Sequence, residues 1–66
     1  MDDINKLRHL LEHWSEHNAE HAITYNEWSK KAEALGKSEL ADILKQIADE
    51  TIKLEGLFKK AGSLCT

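Results

Sequence analysis

The chain has no proline, three glycines and one cysteine among 66 residues. Without proline nothing forces a break or kink into a long helix, and so few glycines leave little room for linkers or low-complexity segments. The lone Cys65 excludes an internal disulfide framework, and no CxxC pair marks a structural zinc knuckle, a redox centre or a haem attachment site. Long apolar runs are also missing. The opening Met1-Asp2-Asp3-Ile4-Asn5-Lys6 is polar and acidic and leads into an amphipathic pattern. No signal peptide or transmembrane span is readable, so a cytoplasmic location without membrane partners is the expectation. Cationic surplus is absent as well: the net charge is −3, the pI is about 5.7, and the lysines stand singly or in the pairs Lys30-Lys31 and Lys59-Lys60. Sequence-independent nucleic-acid binding, which relies on displacing counterions from phosphates, does not fit that balance.

What remains is a pattern of long helices. From Ile4 the residues Ile4, Leu7, Leu11, Trp14, Asn18, His21, Tyr25, Trp28, Ala32 and Leu35 alternate steps of three and four, a heptad seam without interruption. Asp2 or Asp3 can cap its start, and Gly36 stands where a left-handed residue would stop it. Ser38 then offers a second N-cap, with Glu39 and Asp42 in the first turn. Leu40, Leu44, Ile47, Thr51, Leu54, Phe58 and Ala61 form the next seam. The fold class is therefore all-α: one domain over residues 1–66, an antiparallel two-helix hairpin with a first helix over about 3–35 and a second over about 38–61.

Setting Leu35 opposite Leu40 pairs Trp28 with Ile47, Tyr25 with Thr51, His21 with Leu54, Asn18 with Phe58 and Trp14 with Ala61. It also returns Cys65 to the level of His9 to His13. In this reading Trp14, Tyr25 and Trp28 are core residues. Ile43, Leu57, Ala41, Ala48 and Ile52 stay off the seam, more apolar surface than two helices can cover. A core of this size seldom supplies more than about 3–5 kcal/mol. Dimerisation into a four-helix bundle follows as the simplest homo-oligomer, with docking on a larger protein as the other way to cover the surplus.

All four histidines fall between His9 and His21, in a four-residue unit that places His first and Glu fourth. On a helix each His neighbours the next and meets the Glu three positions on, giving a ladder of imidazoles and carboxylates. A step of four rotates by about 40°, so the ladder sweeps round the helix from His9 near solvent to His21 on the seam. His13 and His17 have the spacing of a two-point chelate for zinc, nickel, cobalt or copper. Glu16 and Glu20 stand close enough to add oxygen ligands or to orient the rings, while His9 with Glu12 is a more exposed rung. HExxH is absent, so the metalloprotease reading fails. The ladder also reads as a solvated, pH-sensitive face on which histidines relieve repulsion among Glu12, Glu16 and Glu20.

His21 has two readings. It can share a hydrogen-bonded polar layer with Asn18, Thr51 or a partner helix, or it can meet its own copy across a dimer axis and share a metal or a haem. A di-iron carboxylate bundle would need the order Glu-x-x-His, and this chain has the reverse. Cys65 is either a free, frayed thiol or a soft ligand completing a metal site. The metal candidates are thus His13, His17, Glu16, Glu20, His9 and His21.

The stretch His13-Trp14-Ser15-Glu16-His17-Asn18-Ala19-Glu20-His21-Ala22, followed by Tyr25-Asn26-Glu27-Trp28, resembles a small uncharacterised prokaryotic His-rich helical-hairpin domain with an HWxEHNxxHA-like core. That resemblance implies a binding or accessory module and supplies no activity. The leading functional expectation is a divalent transition-metal-binding protein using zinc, nickel or cobalt. The second is a non-catalytic assembly module whose His/Glu face is solvated. No nucleophile or acid–base pair in a pocket supports an enzyme.

Overall fold

Gly36 takes φ +79°, the left-handed conformation that costs a residue with a Cβ dearly, and the chain reverses there. The computed structural model describes residues 2–65, so the outermost residue at each end of the expected domain lies outside the described residues. It consists of α1 (Asp3–Ala34) and α2 (Ser38–Ser63), packed along their lengths as an antiparallel hairpin. Around the reversal the Gly36 N–H donates to Glu33 O (3.0 Å) and the Lys37 N–H to Ala32 O (2.9 Å), which together satisfy the last carbonyls of α1 in a Schellman arrangement. That bond fixes Lys37 as the residue from which α2 departs. The expected Ser38 cap is displaced: Ser38 is the first helical residue, and Lys37 precedes it without a side-chain cap. At the other end Asp2 occupies the cap position but makes no capping bond. Its carboxylate instead faces the Asn5 amide, 3.4 Å away.

The two helices meet on a face rotated from the expected one. Along α1 the residues turned inward are Arg8, Leu11, Ser15, Asn18, Ala22, Tyr25, Ser29 and Ala32, and along α2 they are Ala41, Leu44, Ala48, Thr51, Glu55, Phe58, Gly62 and, just past its end, Cys65. Both series still step by three and four. Part of each expected seam is kept: Leu11, Asn18, Tyr25 and Ala32 in α1, and Leu44, Thr51 and Phe58 in α2. Between these the immediate neighbours turn inward, so Ser15, Ala22 and Ser29 take the places given to Trp14, His21 and Trp28, and Ala41, Ala48 and Glu55 those of Leu40, Ile47 and Leu54.

The reason is size. Serine and alanine at every seventh position let the backbones approach, and side chains then reach the facing main chain. Ser29 Oγ donates to Ala41 O at 2.7 Å, and Asn18 Nδ2 donates to Thr51 O at 2.7 Å. Large side chains at those positions would hold the helices apart and forfeit both bonds. The register moves with the rotation. Asn18 stands opposite Thr51 and Glu55, about one turn from the expected Phe58.

This seam encloses little. The buried residues are Ala22, Ser29, Ala32, Ala41, Ala48 and Cys65, and among the described residues no large side chain is fully buried. Trp14 and Trp28, expected in the core, are 45% and 54% exposed. The chain exposes 5348 Å², whereas a compact monomer of 7.5 kDa exposes about 4,200 Å². The excess is about 1,100 Å² per chain on that scaling.

Candidate functional site

A step of four along an unbroken helix carries the ladder down the outside of α1. The rings of His13 and His17 lie 4.9 Å apart centroid to centroid, those of His17 and His21 lie 5.9 Å apart, and His21 stacks on Tyr25 at 6.0 Å with planes 14° apart. All four histidines, Glu16 and Glu20 are exposed. Among the described residues the one rung at ion-pair distance is His9 Nδ1 to Glu12 Oε2, 3.9 Å, on the open surface. No three His, Cys, Asp or Glu side chains among the described residues converge into a metal-holding group. Among the described residues the ladder brings successive imidazoles together in pairs. His13, Trp14, His17, Asn18, His21 and Phe58 together border a shallow concavity of about 410 Å³.

The polar layer expected around Asn18 and His21 is divided by the rotation. Asn18 turns into the hairpin, where Nδ2 bonds Thr51 O and donates to Glu55 Oε2 at 2.6 Å, while Ser15 Oγ donates to Glu55 Oε1 at 2.8 Å. His21 turns out. Ser15 and Glu55 were not singled out from sequence, although Glu55 continues the seven-residue series of Ala41 and Ala48 and so marked the inner face. The Asn18 and Ser15 donors hold the Glu55 carboxyl below its usual range, with Lys59 on the next turn adding to them against a small opposing effect of burial.

A carboxylate whose pKa is lowered by folding stabilises the fold above its unfolded pKa and loses that contribution as pH falls through the folded value. The melting temperature should accordingly fall on acidification through the carboxylate range. Glu55→Gln, which cannot titrate, should be less stable near neutrality and show a shallower fall, as read by circular dichroism across that range. Parallel curves would remove Glu55 from the account.

Cys65 is a correction as well. It is a free thiol, but it is buried rather than frayed, its Sγ lying 3.4 Å from Ala61 O and its carbonyl accepting from Arg8 Nη2. That places it inside the seam, turned away from the ladder.

The rotation that turns Trp14, His21 and Trp28 out of α1 turns Leu40, Ile47 and Leu54 out of α2. Because the helices are antiparallel, a one-residue step backward moves both sets to the same side of the hairpin. They share one face, with Leu7 and Leu35 at the ends of the α1 row, all of them exposed. Lys31 Nζ covers the Trp28 ring at 4.3 Å.

Among the described residues no helix is long and apolar enough to cross a membrane. Residues 7–65 match the family described as Domain of unknown function (DUF8180). An uncharacterized protein of Archaeoglobus fulgidus is similar, 40% identical over 58 residues that cover 88% of this chain and 92% of that protein. No solved structure matches.

Proposed function

The chain belongs to the DUF8180 family, and we propose that it works as a non-catalytic helical assembly module, pairing through its exposed apolar face with a second copy to form a four-helix bundle. One observation carries this reading: the large apolar side chains stand outside a seam of small ones. In a bundle each helix has two neighbours, and its core direction lies between them. For α1 that direction falls between the Leu11–Asn18–Tyr25 row, already half-buried, and the Trp14–His21–Trp28 row, now exposed. The heptad read from sequence is the one a bundle centre needs, and the hairpin by itself covers half of it. The excess surface of about 1,100 Å² fits this reading, since a standard stable interface removes about 800 Å² per partner.

The test is molar mass by light scattering together with the concentration dependence of unfolding. A mass of twice 7.5 kDa and a melting temperature that rises with concentration are expected. A monomer with a concentration-independent transition would overturn the proposal and leave a larger protein as the cover for this face.

A second reading, transition-metal handling by the ladder, is favoured by the 4.9 Å separation of the His13 and His17 rings. Two imidazoles one turn apart can hold zinc, nickel or cobalt as a pair, with water or a further donor completing the shell. Glu16 and Glu20 would serve at its edge and His9 beyond it. In tag-free protein, binding tighter than about 1 μM, worth roughly 8 kcal/mol, is expected to be lost in His13→Gln/His17→Gln with helicity retained. Unchanged affinity in that variant would refute the pair.

A further inference from the structure

We propose that two copies of the chain hold one divalent transition metal between them, with His21 of each copy as its central ligands and His17 of each as the next imidazoles. The inference rests on the pairing proposed above and says what lies at its axis.

The exposed face is symmetric about its middle. On α1 its row runs Leu7, Trp14, His21, Trp28, Leu35, and His21 is the midpoint. On α2 the row Leu40, Ile47, Leu54, Ala61 has its midpoint between Glu50 and Thr51. The two midpoints lie within about 2 Å of the same height, because Ser29 bonds Ala41 O and Ser15 bonds Glu55, a register that sets His21 opposite Asp49. A two-fold axis lying across the helices at that height superposes the whole of both rows on their copies. Trp14 then meets Trp28 of the other copy, Ile47 meets Leu54, and His21 meets His21. Any other height leaves part of a row uncovered.

The centre of an otherwise apolar face is therefore an imidazole, and covering it unpaired would be unfavourable. Its surroundings prepare it as a ligand. The ring is stacked on Tyr25, which limits its rotation, and among the described residues neither ring nitrogen has a hydrogen-bond partner. His17 lies 5.9 Å away on the side facing the same neighbour. One chain supplies two imidazoles and the pair supplies four, a donor set suited to zinc, cobalt or nickel.

Cobalt(II) is the probe, followed by absorption spectroscopy and by molar mass on tag-free protein. The expected result is one cobalt per two chains, a visible spectrum of imidazole-coordinated cobalt, loss of both in His21→Gln, and little change in His13→Gln. His21→Gln should remain a dimer, since glutamine keeps bulk and hydrogen-bonding capacity at the axis. One cobalt per chain, abolished by His13→Gln and kept in His21→Gln, would overturn the shared site in favour of a local chelate. A dimer that binds no cobalt would overturn the site and leave the assembly reading standing. A monomer under all conditions would overturn both.

Discussion

Replacing Ile47 by glutamate should reduce the mass in solution to that of one chain and, at low micromolar concentration, remove most of the helical circular dichroism. Ile47 is 42% exposed on the single hairpin, so the new carboxylate meets water there and strains nothing. In the proposed bundle it would sit beside Leu54 of the other copy with no cation to meet it. Leaving an unpaired charge in such a place costs about 3–5 kcal/mol, and because each copy brings one, association weakens by roughly four to seven decades. The loss of helix follows from the loss of the partner, because among the described residues the hairpin alone buries only alanines, a serine and a cysteine. Trp28 would be a less direct probe, since Lys31 already covers its ring. The control is Ile23→Glu, the same substitution on another surface: Ile23 is 61% exposed and lies off the proposed face, so its variant should keep the wild-type mass. A dimeric Ile47→Glu would show that this face is not the interface.

How much of this was legible in the sequence is clearest at the heptad. The helices, the reversal at Gly36 and the antiparallel packing follow from periodicity and from a glycine that can take positive φ. The rotation of the seam did not, because periodicity alone ranks Trp14, Trp28 and Ile47 above Ser15, Ser29 and Ala48 as core residues. Hydrophobicity identifies what must eventually be covered, whereas the contact inside one hairpin is decided by which side chains are small enough to let two backbones meet. The repeats Ser15, Ala22, Ser29 and Ala41, Ala48 carried that second message at the same seven-residue spacing. The ladder shows the same division. Its order along α1 was readable from a four-residue step, but the facing of His21 depended on which side of the heptad α2 would take. Asn18 was readable as part of a polar layer; its partner Glu55 was not, since an acid beside the expected seam looks like a surface charge until Ser15 and Asn18 are seen to donate to it.

The small-residue seam makes the second large prediction, that Ala48→Leu is strongly destabilising although it adds apolar volume to a protein short of core. Ala48 is 2% exposed and Ala22 is 3% exposed. They fall in one layer, each seven residues from the Ser15–Glu55 hydrogen bond and each seven from the Ser29–Ala41 bond. A leucine there has nowhere to go without separating the helices. Overpacking of this kind costs about 1–3 kcal/mol, and losing the bonds from Asn18 to Thr51 O or from Ser29 to Ala41 O adds about 0.5–1.5 kcal/mol each. A total of about 2–4 kcal/mol lowers the melting temperature of so small a domain by roughly 10–25 °C. Had the helices met through Leu40, Ile47 and Leu54, residue 48 would lie on the flank, and a leucine there would be neutral or mildly stabilising. Thermal unfolding of Ala48→Leu beside wild type at matched concentration separates the two seams. A large fall in melting temperature locates the contact at the alanines, and an unchanged or raised value would return it to the large side chains and leave the exposed face without its argument.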